Sequence, residues 1–329
     1  MRNDRLRTIF RRNSPRLGLL AVTVGFWLWF AVFATGFTSD FNMFTLLRFA
    51  AVQVTIAFGQ MIALSAGEMN LSLGAIGGAV AMCAGGLMEI FHLDPLLAVP
   101  IGLGLGALLG ATNGFLVVRT GINSFVITLA TASVYTGLML AITAADSYDD
   151  LPEAFLTFSR IRVLGYPVSP LVLVMLFAAV LLWLLYNKTR LGREILAVGA
   201  NRRAAAMSGV NVNLTLIKTH MLSGLLAGLA GILNAAMLAD AVPRIGMDWL
   251  LPSFAIAVIG GTAITGGSVS VGGAIIGGFL VAGITNGVLL LNVSNFFVNL
   301  FLGLILLLAV SLDRIRSVAM TRLSLGERK

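Results

Sequence analysis

Charged residues are absent from eight long stretches of this chain, and these stretches are its dominant pattern. Seven have the length of one membrane crossing, because a helix of roughly 20 apolar residues spans a hydrocarbon core about 30 Å thick. The eighth, Trp249 to Leu312, has room for three crossings. The pattern therefore predicts about ten transmembrane helices. The stretches are 17–39, 49–67, 69–88, 95–118, 120–145, 163–187, 219–239 and 249–312.

Composition excludes an ordinary soluble domain. Only 11% of the residues are charged, whereas soluble domains carry about 25%. Apolar runs without a polar face also argue against the surface helices of a soluble protein. We therefore predict an all-α, multi-pass membrane protein with a single transmembrane domain over residues 1–329.

Basic residues collect in three segments, which are the N-terminus 1–16, the loop 188–213 and the tail 313–329. Because Lys and Arg in short loops stay on the cytoplasmic side, we predict that both termini and this loop are cytoplasmic. The gap 146–162 is weighted toward acid and is predicted to lie outside, while Arg48 is a mild exception. The net charge of +8 then faces cytoplasm and membrane lipid, and no nucleic-acid partner is needed.

Two junctions rich in Gly and Ser, 65–74 and 260–273, separate apolar runs with almost no loop between them. Irregular backbone within a membrane is tolerated only where protein or a water-filled cavity satisfies its amides, so such junctions often line a transport path. The alternative is a tight turn at the cytoplasmic surface. Thr112–Gly114 recurs as Thr285–Gly287, but the two junctions match at a different offset, so an internal repeat is possible and not established.

Catalytic chemistry is hard to find. The chain has no phosphate-binding loop, no His-Glu-x-x-His motif and only two histidines, neither within a ligand cluster, so we predict no catalytic residue, no bound metal and no cofactor on this chain. Ion-coupled carriers keep ionisable groups within the membrane, and only Glu68 qualifies here. An ion-coupled secondary transporter using Glu68 is therefore the alternative, and a membrane-embedded enzyme acting on lipid ranks third.

Several segments resemble one family. The loop Leu191–Val212 with Leu222–Gly231, the stretch Gly67–Gly74 (Gly-Gly-Ile-Asp-Leu-Ser-Val-Gly in the family) and Phe125–Leu129 (Phe-Ile-Val-Thr-Leu) are similar to permease subunits of ribose-type bacterial ABC sugar importers. The C-terminal third is similar as well, through Ile259–Gly273. The resemblance covers most of the chain from about residue 45 onward.

This resemblance implies a subunit of the bacterial inner membrane that forms the path for a sugar or related small polar solute. It pairs with a second permease copy or a sister permease. Two ATPase subunits, which bind ATP and Mg, sit below it, and a periplasmic binding protein delivers the sugar from above.

In such proteins the loop 200–212 forms a short coupling helix that docks on the ATPase. Its residues here, with the flanking glycine, are Gly199, Asn201, Arg202, Arg203, Ala204, Ala205, Gly209 and Val210. Asn201 is a suitable N-cap and Gly209 a natural C-terminal stop, so the local sequence favours a helix. For Arg202 and Arg203, contact with acidic partner residues and simple cytoplasmic retention both stay open.

Polar residues within or beside the apolar runs are candidates for the translocation path. They are Ser65, Glu68, Asn70, Ser72, Asn113, Asn123, Thr128, Thr262 and Asn286. The chain departs from the family at Asn70, where Asp is usual, at Ser124, where Pro is frequent, and at Arg203, where an acid is expected. A neutral Asn70 both donates and accepts hydrogen bonds, so a structural role that ties two helix ends together is an open alternative.

Overall fold

The computed structural model describes residues 2–293 and five separate positions beyond them; for 2–16 it describes the backbone only. Within these residues the protein is helical, and its only β-structure is one isolated bridge. The helices are α1 Arg2–Phe33, α2 Asp40–Ser65, α3 Leu73–Glu89, α4 Pro95–Thr120, α5 Ser124–Thr143, α6 Glu153–Arg160, α7 Pro170–Lys188, α8 Arg190–Ala200, α9 Arg202–Met207, α10 Val212–Leu238, α11 Leu250–Ile259 and α12 Val271–Leu290.

Six of these helices are long and apolar enough to cross a membrane, namely α2, α4, α5, α7, α10 and α12. Three further apolar helices are shorter: residues Leu17–Phe33 of α1, α3 and α11. The multi-pass architecture is thus confirmed, while the number of about ten crossings stays a prediction. The last predicted crossing, near residue 300, and the tail 313–329 lie outside the continuously described residues.

Helix α11 has only 10 residues, which corresponds to about 15 Å of helix and half of a membrane crossing. The run that starts at Trp249 therefore does not begin with a full spanning helix. Irregular backbone flanks α11 on both sides, over residues 239–249 and 260–270. It accounts for the difference between the length of α11 and that of a full crossing.

Glycines allow α4 and α10 to cross at van der Waals distance. A Cβ atom added to Gly110 would lie 2.2 Å from the carbonyl oxygen of His220, and one added to Gly224 would lie 2.3 Å from that of Gly106. The two helices run antiparallel, and their backbones touch directly. Gly102, Gly106 and Gly110 recur every four residues in α4, a spacing that predicts a tight helix contact. This contact is confirmed for Gly106 and Gly110.

The connection between α10 and α11 packs along the glycine face of α3. Added Cβ atoms on Gly85, Gly78 and Gly74 would lie 2.6 Å from Ala241, 2.5 Å from Ile245 and 1.9 Å from Gly246, respectively. The connection therefore descends beside α3 from its C-terminal end to its first turn. This descent was not predicted from the sequence.

Helix α1 runs parallel to α12. The indole nitrogen of Trp27 donates to the carbonyl oxygen of Phe279 at 3.2 Å, and Phe30 covers Gly287 further along the same face. Contacts thus advance in the same direction on both helices. The start of α1 and the start of α12 consequently lie toward the same end of the protein.

Acidic residues gather at the opposite end, where α3, α5 and α10 finish. The backbone N–H of Asp150 donates to the Glu89 carboxylate at 2.9 Å, and Tyr148 bridges to Ala241. Burial, with added repulsion from Asp149 and Glu89, raises the pKa of Asp240. This end therefore has the acidic character that the sequence assigned to the outer surface.

Candidate translocation and coupling site

Three backbone segments meet at one point, which we call the glycine junction: Ser65–Gly67 at the end of α2, Gly199 in α8, and Gly266–Gly267 between α11 and α12. The N–H of Gly267 donates to the carbonyl oxygen of Ser65 at 3.0 Å. An added Cβ on Gly199 would lie 2.1 Å from that oxygen and 2.6 Å from the nitrogen of Gly267. Only glycine fits between the other two segments at this position. The basic loop thus touches both predicted irregular junctions at once.

An ion pair reinforces this contact. The guanidinium of Arg202, at the start of α9, donates to the Glu68 carboxylate just after the glycine junction. The Glu68 side chain is 3% exposed, whereas that of Arg202 is 51% exposed. The pair borders a cavity of about 350 Å³ that also touches Asn123 and the first turn of α10. The only acidic residue at the irregular junctions is therefore neutralised from within the chain.

Helix α9 has the bounds that local signals predicted. The Asn201 side chain accepts from the N–H of Ala204 at 3.0 Å, and Gly209 follows the helix with φ of +81°. Ala205 is buried and Val210 half-buried, while Arg203 and Ala204 are exposed. The predicted helix is confirmed, and its docking on an ATPase stays a prediction.

The exposed face of α9 includes one residue that the sequence analysis did not select. Met207 is 83% exposed, which is unusual for a long apolar side chain and typical of a contact surface. Its signal in the sequence was a long apolar side chain between the arginines and Gly209 of the basic loop 188–213.

Three predicted path residues form one buried hydrogen-bond network. The amide oxygen of Asn70 accepts from the Ser72 hydroxyl at 2.7 Å, and the Asn113 amide donates to that same hydroxyl at 2.7 Å. Two further residues close the network: Asn70 donates to Ser223 at 2.9 Å, and Tyr135 donates to Asn113 at 2.9 Å. These groups satisfy one another at the start of α3, as the alternative structural role for Asn70 requires.

The other predicted path residues are dispersed. Ser65 bonds Tyr186 at 2.8 Å, and Thr128 accepts from the N–H of Leu71 at 3.0 Å. Asn286 exchanges two bonds of 2.9 Å with Asn42. The remaining two residues differ in exposure: Asn123 caps α5 at the surface, and Thr262 is buried with no partner for its hydroxyl among the described residues.

Ser223, Tyr135 and Tyr186 complete these contacts and were missed. Each is a polar residue within a charge-free run, which was an available signal. Their partners lie up to 153 residues away, and no local pattern identifies such pairs.

Within the described residues, no group of three or more His, Cys, Asp or Glu side chains has the geometry of a metal site.

The spanning helices, the broken helix ends and the polar network define a multi-pass membrane transport subunit.

The chain belongs to the family described as the branched-chain amino acid transport system / permease component, which matches residues 42–310. It is 37% identical over 269 residues to the D-allose transport system permease protein of Escherichia coli, which covers 82% of each chain. It is 34% identical over 311 residues to the ribose import permease protein of Bacillus subtilis, 94% of each. No solved structure matches.

The chain is accordingly a permease subunit of the ABC importer class, as the resemblance predicted. The comparisons give no support to the alternative of an ion-coupled carrier that uses Glu68.

Proposed function

We propose that this chain forms the translocation path of an ATP-driven importer for a sugar or a related small polar solute in the bacterial inner membrane. The observation on which this proposal rests is the glycine junction, where the basic loop contacts both irregular segments of the membrane region. An external motor that moves the loop would act on both segments together. In this proposal ATP and Mg belong to the partner ATPase, and no cofactor belongs to this chain.

The distribution of charge supports the proposed orientation. Helices α8 and α9, with Arg190, Arg193, Arg202 and Arg203, lie at the end of the protein opposite the acidic cluster of Glu89 and its neighbours. The parallel contact of α1 with α12 brings the N-terminus toward the basic end. Because basic segments of membrane proteins stay on the cytoplasmic side, we propose that this end is cytoplasmic. The C-terminal tail is proposed to lie on the same side.

The proposed mechanism is alternating access driven from outside the chain. Closure of two partner ATPases on ATP would displace α9, and the glycine junction with the Glu68–Arg202 pair would pass this displacement to the ends of α2 and α11. The interlocked α4–α10 pair would move as a rigid unit, because its backbones are in direct contact. The translocation path would then open alternately to the periplasm and to the cytoplasm.

A second permease copy, or a sister permease, is proposed to cover α5. This helix is the least buried of the six long apolar helices. Its exposed side combines small residues, among them Ala130, Ser133 and Gly137, with larger apolar ones. Small residues suit close contact between membrane helices. A Gly137→Cys variant in a Cys83→Ser background should cross-link to its copy in a homodimer, whereas Leu181→Cys on the exposed face of α7 should not.

The substrate class follows from the relatives. One is named for D-allose and another for ribose, and a relative in Enterobacter, 32% identical over 266 residues, is named for autoinducer 2. A sugar or a related polar molecule is therefore the proposed cargo. A periplasmic binding protein would deliver it and supply most of the selectivity.

Copurification tests the proposal. The tagged chain is isolated in mild detergent from its native membrane, and the accompanying proteins are identified by mass spectrometry. We expect an ABC ATPase in stoichiometric amount, lost when Ala204→Glu and Met207→Glu place two charges on the exposed face of α9. Ser147→Glu, beyond the far end of α5, adds a charge at the acidic end and should retain the ATPase.

Absence of any ATPase from the wild-type preparation, combined with ion-driven uptake in liposomes, would contradict the proposal. Loss of the ATPase in Ser147→Glu as well would show that α9 is not the specific docking element.

A further inference from the structure

We propose that Arg244 and Asp248, on the connection between α10 and α11, form a polar contact site for the cargo in a water-filled cavity open to the outer side. This inference rests on the proposed import function. Neither residue was among the predicted path residues, and both stand in a short gap between two apolar runs.

The depth of this connection is the first observation. It touches α3 at Gly85 through Ala241, at Gly78 through Ile245 and at Gly74 through Gly246. Eleven residues of helix separate Gly74 from Gly85, which is about 16 Å along the axis. Gly85 itself precedes the acidic outer end of α3 by about one turn. The connection therefore reaches roughly 20 Å below that end, well inside a hydrocarbon core about 30 Å thick.

The second observation is the division of the connection into two faces. Ile245, Gly246 and Trp249 are buried against α3 and α10. Arg244 and Asp248 are exposed, and Met247 between them is 59% exposed. Opposite charges thus stand on the uncovered face of irregular backbone at membrane depth.

Lipid cannot be what covers this face. A charged side chain at the centre of a bilayer is strongly unfavourable, and irregular backbone at that depth is found only against protein or a water-filled cavity. Arg244 and Asp248 have no ion-pair partner among the described residues. A second protein chain or water in a central cavity would satisfy both charges and the backbone. We infer water, which places the exposed face on the path, and labelling in the assembled complex distinguishes water from a covering protein chain.

The chemistry of the two groups fits a polyhydroxylated solute. A carboxylate accepts from sugar hydroxyls, and a guanidinium donates to hydroxyl and ring oxygens in a planar fork. Because both groups are solvated before the cargo arrives, each contact exchanges water for hydroxyl at a small net gain. A site of this kind binds weakly, which suits a path that the cargo must leave.

Accessibility labelling tests the inference. Arg244→Cys and Asp248→Cys are made in a Cys83→Ser background, in the assembled complex, and treated from outside with the membrane-impermeant thiol reagent MTSET. We expect rapid labelling at both positions and at least a tenfold loss of uptake of labelled D-ribose or D-allose after treatment. Leu181→Cys, on the exposed face of α7 at comparable depth, should resist the reagent and keep its uptake.

A second measurement separates contact with the cargo from a structural role. Asp248→Asn retains the shape of the side chain and should raise the sugar concentration for half-maximal uptake by about threefold to tenfold, while ATPase copurification stays normal. No labelling at positions 244 and 248 would overturn the inference, and so would labelling that leaves uptake unchanged. Labelling at both positions in a protein that recruits no ATPase would retain the cavity and contradict the proposed function instead.

Discussion

Neutralising either partner of the Glu68–Arg202 ion pair should have unequal consequences. The carboxylate is 3% exposed and the guanidinium 51% exposed. Arg202→Gln leaves a charge where water hardly reaches, whereas Glu68→Gln leaves a charge that stays half in solvent. Breaking a buried pair from one side costs about 3–5 kcal/mol because a charge remains unpaired, while an exposed pair is worth about 0–1 kcal/mol.

The pair lies between these limits, because one partner is buried and the other is not. We therefore expect Arg202→Gln to lower the free energy of unfolding by about 2–3 kcal/mol and Glu68→Gln by about 1 kcal/mol. The double variant leaves neither charge unpaired, so it should lie within about 1 kcal/mol of wild type. The difference between the single variants is about tenfold in the unfolding equilibrium constant.

Unfolding in mixed micelles with increasing SDS, followed by tryptophan fluorescence, measures these differences. Arg190→Gln is the matched control, since it removes a 2.6 Å ion pair with Glu194 in which the arginine is 82% exposed, and it should change the free energy of unfolding by less than 0.5 kcal/mol. Equal losses in the two single variants, or additive losses in the double variant, would refute the reasoning.

Three further changes test other parts of the fold. Gly110→Ala places a Cβ 2.2 Å from backbone on α10 and should cost about 2 kcal/mol net in SDS unfolding, whereas Gly104→Ala on the same helix, with open space, should be neutral or stabilising by up to about 1 kcal/mol. The pKa of Asp240 is raised in the folded state, so the wild type loses stability as pH rises through the pKa of this carboxyl group. Asp240→Asn removes this loss and should therefore raise thermal stability at neutral pH. It should not raise thermal stability below the unfolded-state pKa of Asp, where the wild-type carboxyl is protonated in both states. Asn70→Asp replaces the amide that donates to Ser223 with an acceptor and should destabilise by about 1–3 kcal/mol in the same SDS assay.

Local signals in the sequence were sufficient for some elements. Helix α9 begins after Asn201 and ends before Gly209 because capping and helix termination depend on neighbouring residues. The long apolar helices followed from the spacing of charges in the same way. The contact of the glycine repeat in α4 also followed, although its partner helix did not.

Tertiary packing decided the rest. The connection after α10 contains Pro243, Arg244, Gly246 and Asp248, which is the composition of a surface loop. Only the glycine face of α3 allows it to descend into the membrane region, and that pairing joins residues more than 150 positions apart. The network around Asn70 was recognised as polar, but its partner Ser223 lies on a helix that no local pattern connects to it.

The described contacts form one continuous series between the two ends of the proposed mechanism. Arg202 on α9 pairs with Glu68, and the same segment continues through the Asn70 network into the first turn of α3. There Gly74 touches Gly246, two residues before Asp248. Spatial continuity does not by itself measure coupling, but every joint in this series is an ion pair, a buried hydrogen bond or a backbone contact without a side chain between. We therefore expect a displacement of α9 to reach Asp248 through this series. The ionic joint Glu68–Arg202 is the one that substitution can open without removing a buried backbone contact.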